Sequence, residues 1–510
     1  MKSVLMKCIA FALSVLLGVC AGQGEQQLPQ ESHSDTPTIL IAQDIKQWYT
    51  DDGEERIFEA AAGKVEVAGE GFDALEKSLA AQWSGLDDRD YEELEWSKEM
   101  YDSCKQEEKR YFPYFNLGES VTVRRLDNHV VSFCVNGYGY GHDTAYYIYG
   151  RTFDIASGRE LQLEDILRSP EEFYAKAVSY IPAQLEKSYG EGLYPDFEET
   201  VRTETFGETP ATWYLDNKGI VIQYELYSVG PYVIGAPFVT LPYDAFAAYI
   251  KEEYLNPDSN FIARVEVNED FSELIGETGK VMIISEYSRE YSNDKVTVVS
   301  GDASETVGTF ASSMDAYMYV VKRQDGRSFL IFYCDYALND FATYVYEVTG
   351  GKVRQCDKLD GAAWSSTCIG TDRIGLTMHL DVLGTYRGEM VYQLTDDGKL
   401  VQTEEIFAVN TPRQLKVIKD LPVTIGGEKT TIPPGSKIRI TGTDNAGKAY
   451  FRIDTDTGEI EMIQYVEGAC FWMDTGTGET GMIQYERDEQ QILIDGVPEN
   501  EYFEMVPYAE

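Results

Sequence analysis

The chain has 510 residues, which is long enough for about three domains. Its hydrophobic content of 43% is enough to form hydrophobic cores, so it is not a disordered protein. Its 87 acidic residues against 43 basic ones give a formal net charge of −44. Such a charge disfavours nucleic acid and anionic membrane surfaces as partners and favours cations and basic proteins, although acidity also simply keeps a secreted protein soluble.

The first 21 residues have the pattern of an export signal. Two lysines precede the apolar run 8–19, which is too short to span a membrane as a mature helix. Two processing modes fit: cleavage before Gly22 gives a secreted protein, whereas a lipobox-like run gives a lipoprotein anchored through Cys20 on the outer face of the cell membrane. A polar linker, residues 22–37, follows in either case, and no later segment has 18 consecutive apolar residues. We therefore expect membrane attachment only through that lipid anchor.

Residues 38–256 predict an α+β domain. Apolar side chains recur at helical spacing from Phe72 to Trp83 and from Phe173 to Leu185, the second helix being bent or interrupted by Pro182. Valines alternate with other residues on both sides of Asp127-Asn128, which predicts a hairpin. A long aromatic strand follows over Thr144–Ile155.

Two motifs in this region have an ordered arrangement of strands and turns. Residues 214–246 contain a strand in which Ile220, Ile222, Tyr224 and Leu226 alternate with other residues, glycine and proline breaks, a second strand at 238–241, and the start of a helix over Tyr243–Tyr254. Residues 152–167 read as strand, turn, strand and helix. Together they resemble the extracellular domain of the anti-sigma-V factor (RsiV-like) family, which also occurs as an accessory module in peptidoglycan deacetylases.

That resemblance implies an exported cell-envelope protein that binds a ligand, the best-understood ligand in the family being lysozyme, a strongly basic protein. The glycine-rich stretch 137–143 lies where the family has a glycine-rich turn ending in histidine, and its glycines permit close approach of a ligand. Its alternative is a β-turn with a structural histidine. The candidate ligand-binding residues are Tyr138, Tyr140, His142, Tyr146, Tyr147, Tyr227 and Tyr232.

Residues 259–408 and 411–510 predict two further β regions. In the first, short strands and turns recur in a way typical of an antiparallel meander, as in sandwiches or incomplete propellers. The second resembles bacterial SH3-like domains around 415–440. It also holds a 20-residue repeat, 454–465 and 474–485, which is either a duplicated hairpin or a pair of glucan-binding-type repeats.

Catalytic and metal-binding motifs are largely absent from the sequence. It contains no HExxH, GxSxG, Walker A or CxxC pattern and four histidines in all, so we expect no metal and no cofactor. The six cysteines after the signal permit disulfides in an exported protein, with buried free thiols as the alternative.

The sequence thus favours a non-enzymatic envelope protein that binds lysozyme or another basic protein. One alternative is a peptidoglycan- or glycan-binding accessory protein that acts through the SH3-like region. The other is a cell-wall hydrolase with two catalytic carboxylates.

Overall fold

The computed structural model describes residues 36–49, 56–105, 109, 112, 114–140, 145–207, 210–257, 259–288, 293–310, 318–337, 340–409, 413–453, 459–464, 472–473, 480–488 and 491–508. Over these residues the chain is mostly β-strand. Its described helices lie between residues 73 and 254, apart from a 3-10 turn at Glu499–Glu501, as expected for an α+β region followed by β-rich regions. The described strands form no closed barrel. None of the described helices is long and apolar enough to cross a membrane. The export signal and Cys20 lie outside the described residues.

The first region contains all of the described α-helices. Its elements are β1 (Thr38–Tyr49), β2 (Arg56–Ala68), α1 (Asp73–Gln82), α2 (Asp88–Ser103), β3 (Phe115–Leu126), β4 (Val130–Tyr140), β5 (Ala145–Asp154), α3 (Leu163–Ile166), α4 (Pro170–Tyr189), α5 (Phe197–Glu204), β6 (Thr212–Asp216), β7 (Gly219–Gln223), β8 (Phe238–Pro242) and α6 (Tyr243–Phe246). Short 3-10 turns lie at Gly190–Gly192, Tyr232–Ile234, Ala247–Tyr249 and Glu252–Tyr254.

Strands β1 to β5 form the frame of this region. β1 and β2 make a long antiparallel hairpin, β2 pairs parallel with β3, and β3, β4 and β5 pair antiparallel in chain order. At the turn between β3 and β4, the Asp127 carboxylate accepts the backbone N–H groups of His129 and Val130 at 2.7 and 2.9 Å. This is the turn chemistry that the sequence predicts at Asp127-Asn128.

Two layers cover the β3–β5 sheet. On one face, Trp83 at the end of α1 packs against Phe133, with ring centroids 4.9 Å apart. On the other face lies the antiparallel sheet β6–β7–β8, whose Tyr214 and Val221 contact Cys134 of β4. Helix α4 packs against the opposite side of β6–β8 through its buried apolar residues. The segment that joins β7 to β8 therefore projects from the edge of a well-packed layer.

Two helix predictions are modified by the structure. α4 runs through Pro182 as one helix rather than being interrupted there. The helix predicted over Tyr243–Tyr254 is instead broken into α6 and two 3-10 turns. The break occurs because Ile250 forms a β-bridge with Leu167 and the Lys251 N–H donates to the Ile166 carbonyl at 2.9 Å, which takes these residues out of helical pairing.

The second and third regions consist almost entirely of strands. The strands of the second are β9 (Phe261–Val265), β10 (Val281–Ser288), β11 (Asn293–Ser300), β12 (Ala303–Phe310), β13 (Met318–Lys322), β14 (Ser328–Ala337), β15 (Asp340–Glu347), β16 (Arg354–Asp360), β17 (Ala362–Ile369), β18 (Arg373–Asp381), β19 (Thr385–Leu394), β20 (Leu400–Gln402) and β21 (Phe407–Val409). Those of the third are β22 (Gln414–Lys416), β23 (Leu421–Ile425), β24 (Glu428–Ile432), β25 (Lys437–Thr443), β26 (Lys448–Ile453), β27 (Glu459–Gln464), β28 (Trp472–Met473), β29 (Thr480–Gln484), β30 (Glu486–Asp488), β31 (Gln491–Ile494) and β32 (Val497–Pro498).

Pairing in these regions is antiparallel between neighbours, as the spacing of the turns predicts. β13 to β16 form one such series, and β17 to β19 form another. Other pairings join distant parts of the chain: β9 pairs with β3 and β13, and β1 pairs with β17 and β27. Because these ladders connect the three sequence regions, the domain boundaries near 257 and 410 stay predictions.

Candidate functional site

The segment from Tyr224 to Pro237, which we call the aromatic loop, joins β7 to β8 and exposes large apolar side chains. The side chains of Tyr227, Tyr232, Val233 and Phe238, the last at the start of β8, are between 50% and 85% exposed. The rings of Tyr227 and Tyr232 lie side by side, with centroids 6.1 Å apart and planes tilted by 33°. Single exposed apolar residues are ordinary, but a contiguous group on one loop is a feature of interaction sites.

The aromatic loop is held firmly at its base. Gln223 is buried, and its Nε2 donates to the carbonyls of Ala236 and Pro237 at 2.9 and 3.0 Å. The Tyr224 N–H also donates to the Pro237 carbonyl, at 2.8 Å, and the Tyr224 hydroxyl bonds the Thr205 hydroxyl at 2.6 Å. These bonds join the two ends of the aromatic loop, so its exposed rings are attached to a backbone that is fixed at both ends.

Further contacts fix the middle of the aromatic loop. Val229 is fully buried, and its carbonyl accepts the Tyr194 N–H at 3.0 Å. A side chain at Gly230 would come within 2.3 Å of Ile234 and 2.8 Å of the Gly192 carbonyl, so glycine is required for this close approach. Tyr227 itself has a φ of 66°, a left-handed conformation that a tyrosine adopts only when its surroundings impose it. A loop fixed in this way loses little entropy when it binds a partner.

We expect Gln223→Leu to loosen the aromatic loop without removing any exposed ring. The substitution keeps the side-chain size but removes the Gln223 donor from the Ala236 carbonyl and one of two donors from the Pro237 carbonyl, which costs about 1–3 kcal/mol of stability. Amide hydrogen exchange of residues 225–237 should become faster in this variant. Gln402→Leu, at an exposed position, is the matched control and should leave exchange in the loop unchanged. Equal exchange in Gln223→Leu and the wild type would contradict the role given to Gln223.

Tyr146 of β5 lies on the same side of the sheet as the aromatic loop. Its neighbour two residues on, Ile148, packs with Tyr214 and Val221, and alternate residues of a strand share a face. The Tyr146 hydroxyl donates to Asn136 Oδ1 at 3.3 Å. Burial raises the pKa of Tyr146, and Cys134 and Tyr232 add to that rise, which places Tyr232 nearby. Three of the predicted residues, Tyr146, Tyr227 and Tyr232, therefore belong to one surface.

Tyr147 is placed differently, whereas Tyr138 pairs with Tyr146 across β4 and β5 and shares its face. Tyr147 follows Tyr146 in β5 and so extends to the opposite face, where its ring covers Gly137 and stacks on Tyr149 at a centroid distance of 6.0 Å. Tyr138 lies across Gly118, its partner in β3. Tyr140 ends β4 in the described backbone, but its side chain lies outside the described part. His142 and the rest of 141–144 lie outside the described residues, so the ligand-binding role of His142 stays a prediction.

Tyr147 and Tyr138 border a cleft of about 210 Å³ between β2–β5 and the connection from α1 to α2. Glu119 lies in its wall, where its carboxylate accepts the Tyr149 hydroxyl at 2.9 Å. Burial raises the pKa of Glu119, and hydrogen bonds from Tyr149 and Trp83 offset only part of that effect. Asp90 lines the same cleft, and burial raises its pKa too. The cleft therefore combines an exposed aromatic ring with partly desolvated carboxylates.

The raised pKa of Glu119 predicts a specific pH dependence. The folded protein holds this proton more tightly than the unfolded chain, so the stabilising effect is fully present below the ordinary value of 4.5 and is lost as pH rises through the raised value. We expect the melting temperature of the wild type, relative to Glu119→Gln, to fall as pH rises from about 4 to about 8. An exposed control, Glu198→Gln, should show no such trend; a parallel trend in both variants would contradict this.

In the described part of the chain, no three His, Cys, Asp or Glu side chains lie close enough together to hold a metal ion. Sequence reasoning did not identify Val233, Phe238, Glu119 or Asp90 as site residues. Val233 and Phe238 belong to the glycine- and proline-broken motif that also supplies Tyr232, so the break in that strand was the available signal. Nothing in the sequence marks Glu119 among 87 acidic residues.

Comparison with known proteins identifies one family in this region. Residues 164–244, which include α4, β6–β8 and the whole aromatic loop, match the family model described as "Protein of unknown function (DUF3298)". The chain therefore carries a DUF3298 domain there. No curated protein matches the chain.

Two solved structures of this family are similar to the chain. A DUF3298 family protein from Pseudomonas aeruginosa PAO1 is 18% identical, with a TM-score of 0.31, and the match covers 42% of this chain and 95% of that protein. A member of the family from Bacteroides fragilis NCTC 9343 is 16% identical, with a TM-score of 0.32, and the match covers 44% of this chain and 96% of that protein.

Proposed function

We propose that this chain is an exported, non-enzymatic protein of the bacterial cell envelope that binds a basic protein, such as lysozyme, through the aromatic loop. It is secreted or anchored through Cys20, and its first region is an RsiV-like domain of which the DUF3298 domain is the C-terminal part. The two sequence motifs at 152–167 and 214–246 support that relationship, and the second of them contains the loop.

The observation that carries this proposal is the exposure of a group of apolar side chains on a fixed loop. Binding hot spots are enriched in tyrosine, and they are most effective where the backbone does not have to be ordered on binding. Tyr227 and Tyr232 meet both conditions, because they are more than half exposed while Gln223 and Val229 hold the loop.

Charge supports a basic partner. The DUF3298 domain has fourteen acidic residues between positions 164 and 244 and five basic ones. Exposed carboxylates adjoin the apolar group: Glu225 is in the aromatic loop itself, and Glu191 precedes Gly192, which contacts Ile234. Exposed carboxylates beside an apolar surface attract a basic protein and accelerate its association at low salt.

Calorimetric titration of the full chain with lysozyme at about 50 and about 200 mM salt tests this proposal. The Debye length shrinks over this range, so we expect saturable binding that weakens at the higher salt concentration but persists, since the apolar centre is not screened. An acidic protein of similar size serves as the control partner and should not bind. Absence of lysozyme binding at both salt concentrations would contradict the proposal.

The alternative function is binding of peptidoglycan or another glycan through an SH3-like third region. The observation in its favour is that β22–β26 and β29 pair antiparallel around one core that includes Ile438 and Phe451. Sedimentation of the full chain with purified peptidoglycan tests it. Under this alternative, Tyr232→Ala and Tyr147→Ala should sediment like the wild type, because neither residue lies in that region.

A further inference from the structure

The cleft beside Tyr147 has the size of a single ring. Its volume is about 210 Å³. Clefts that hold drug-sized ligands measure roughly 300–1,000 Å³, so this one suits one ring or one side chain rather than an extended molecule. Gly63, Gly118 and Gly139 line it from three adjacent strands.

The charged groups around the cleft disfavour an anion, and two of its carboxylates are already engaged in hydrogen bonds. Three carboxylates, those of Asp87, Asp90 and Glu119, line it together with one guanidinium, that of Arg89. Asp87 and Asp90 already cap α2: Asp87 Oδ1 accepts the Arg89 and Asp90 N–H groups at 2.8 and 3.2 Å, and Asp90 Oδ2 accepts the Asp87 N–H at 2.9 Å. A cation would therefore meet carboxylates that are partly occupied and a repelling Arg89.

A neutral ligand with many hydroxyl groups fits the same surroundings. Carboxylates only accept hydrogen bonds and a guanidinium only donates them, whereas a hydroxyl does both. Glu119 and Asp90 offer acceptors, and Arg89, which lies near enough to Tyr147 to affect the pKa of its phenol, offers donors. The Tyr147 ring is 40% exposed and stacked on Tyr149, so it presents a flat apolar surface.

From this arrangement we propose that the cleft is a binding site for a single neutral sugar ring, which stacks on Tyr147 and hydrogen-bonds Glu119, Asp90 and Arg89. The ring is either a free sugar or one unit of a glycan chain. This site is separate from the aromatic loop, because Tyr146 and Tyr147 extend to opposite faces of β5. It does not depend on the basic-protein proposal, and either can fail alone.

Saturation-transfer NMR with the full chain provides the first test. The probes are glucose, N-acetylglucosamine and the β-1,4-linked tetramer of N-acetylglucosamine, with N-acetyl-lysine methyl ester as the cationic comparison. We expect saturation of at least one saccharide and none of the lysine derivative. Equal binding of monomer and tetramer indicates a free sugar, and tighter binding of the tetramer indicates a unit of a glycan. Absence of binding by every saccharide overturns the proposal, as does binding of the lysine derivative alone.

Variants then locate the binding. Tyr147→Ala should weaken saccharide binding about tenfold, because the stacking surface is lost. Glu119→Gln should weaken it several-fold while keeping the shape of the wall. Tyr146→Ala is the matched control, since that ring is 39% exposed on the opposite face, and it should bind saccharide like the wild type. An equal loss in Tyr146→Ala and Tyr147→Ala would overturn the assignment to this cleft. Circular dichroism and the urea unfolding midpoint of each variant show whether it remains folded, and lysozyme binding measured on Tyr147→Ala and Glu119→Gln keeps the two proposals distinct.

Discussion

Replacing Arg125 with methionine is expected to destabilise the protein strongly. Arg125 and Asp127 form an ion pair with a 2.7 Å contact, and their side chains are 1% and 0% exposed. The guanidinium also donates to the Tyr243 hydroxyl at 2.6 Å and to the carbonyls of Tyr254 and Leu255 at 2.7 Å. It thereby ties the β3–β4 hairpin to the segment that ends the first region.

The expected loss is about 3–5 kcal/mol of unfolding free energy, because the methionine leaves the Asp127 charge buried without its partner. Urea unfolding followed by tryptophan fluorescence and circular dichroism measures this loss. Arg159→Met is the control: its ion pair with Asp165 is largely exposed, so the loss should stay below about 1 kcal/mol.

The double variant Arg125→Met with Asp127→Asn provides a second check. It removes both buried charges, so it should recover part of the stability lost in Arg125→Met. If Arg125→Met is as stable as Arg159→Met, the Arg125–Asp127 ion pair does not stabilise the protein as proposed. A double variant less stable than Arg125→Met would lead to the same conclusion.

Replacing Tyr232 with alanine is expected to weaken binding of a basic protein such as lysozyme by at least about 2 kcal/mol, or roughly 30-fold in Kd. The reason is that Tyr232 is more than half exposed and lies next to Tyr227 and near Tyr146. Calorimetry on the full chain at one fixed salt concentration measures the change.

Tyr287→Ala is the matched control for that experiment. Tyr287 is 64% exposed, comparable with Tyr232, but it lies in β10, outside the DUF3298 domain. We expect it to leave the Kd unchanged. If both variants lose affinity equally, the loss is not specific to the aromatic loop. If neither loses affinity, the charge of the whole chain rather than the loop supplies the binding energy.

Local patterns in the sequence predicted local structure well. The spacing of Leu75, Leu79 and Trp83 predicted α1 and its buried face, and the alternation around Asp127-Asn128 predicted the β3–β4 hairpin. These signals depend only on residues that are close in the chain. The alternation through Tyr224 and Leu226 was misleading, because the strand ends at Gln223, whose side chain turns back to bind Ala236 and Pro237.

Features that depend on distant partners could not be predicted from the sequence. The 20-residue repeat illustrates this: the strand of its second copy, β29, pairs with β26 and β23, whereas that of the first copy, β27, pairs with β1. A side chain at Gly481 would lie 2.6 Å from the Phe451 ring and 2.8 Å from Ile425, so only glycine fits there. The first copy has Glu461 at the equivalent position, which explains why the two copies are not interchangeable.

The candidate sites likewise combine features that local sequence patterns predict with features that depend on distant parts of the chain. Tyr146, Tyr227 and Tyr232 are three of the seven residues predicted to bind a ligand, and they lie on one surface; their role in binding stays a prediction. Their separation from Tyr147 follows from the alternation of side chains along β5, which was visible only once the strand was placed between two layers. The Glu119 cleft depends on four strands and two helices meeting, and no short motif encodes it.

Hydrogen exchange of the full chain with and without lysozyme shows where on the chain the partner binds. We expect slower exchange over the aromatic loop, Tyr224–Pro237, and unchanged exchange around Glu119 and over the third region. Protection confined to the residues around Glu119 or to the third region would contradict binding through the aromatic loop. So would the absence of protection anywhere at lysozyme concentrations well above the micromolar range.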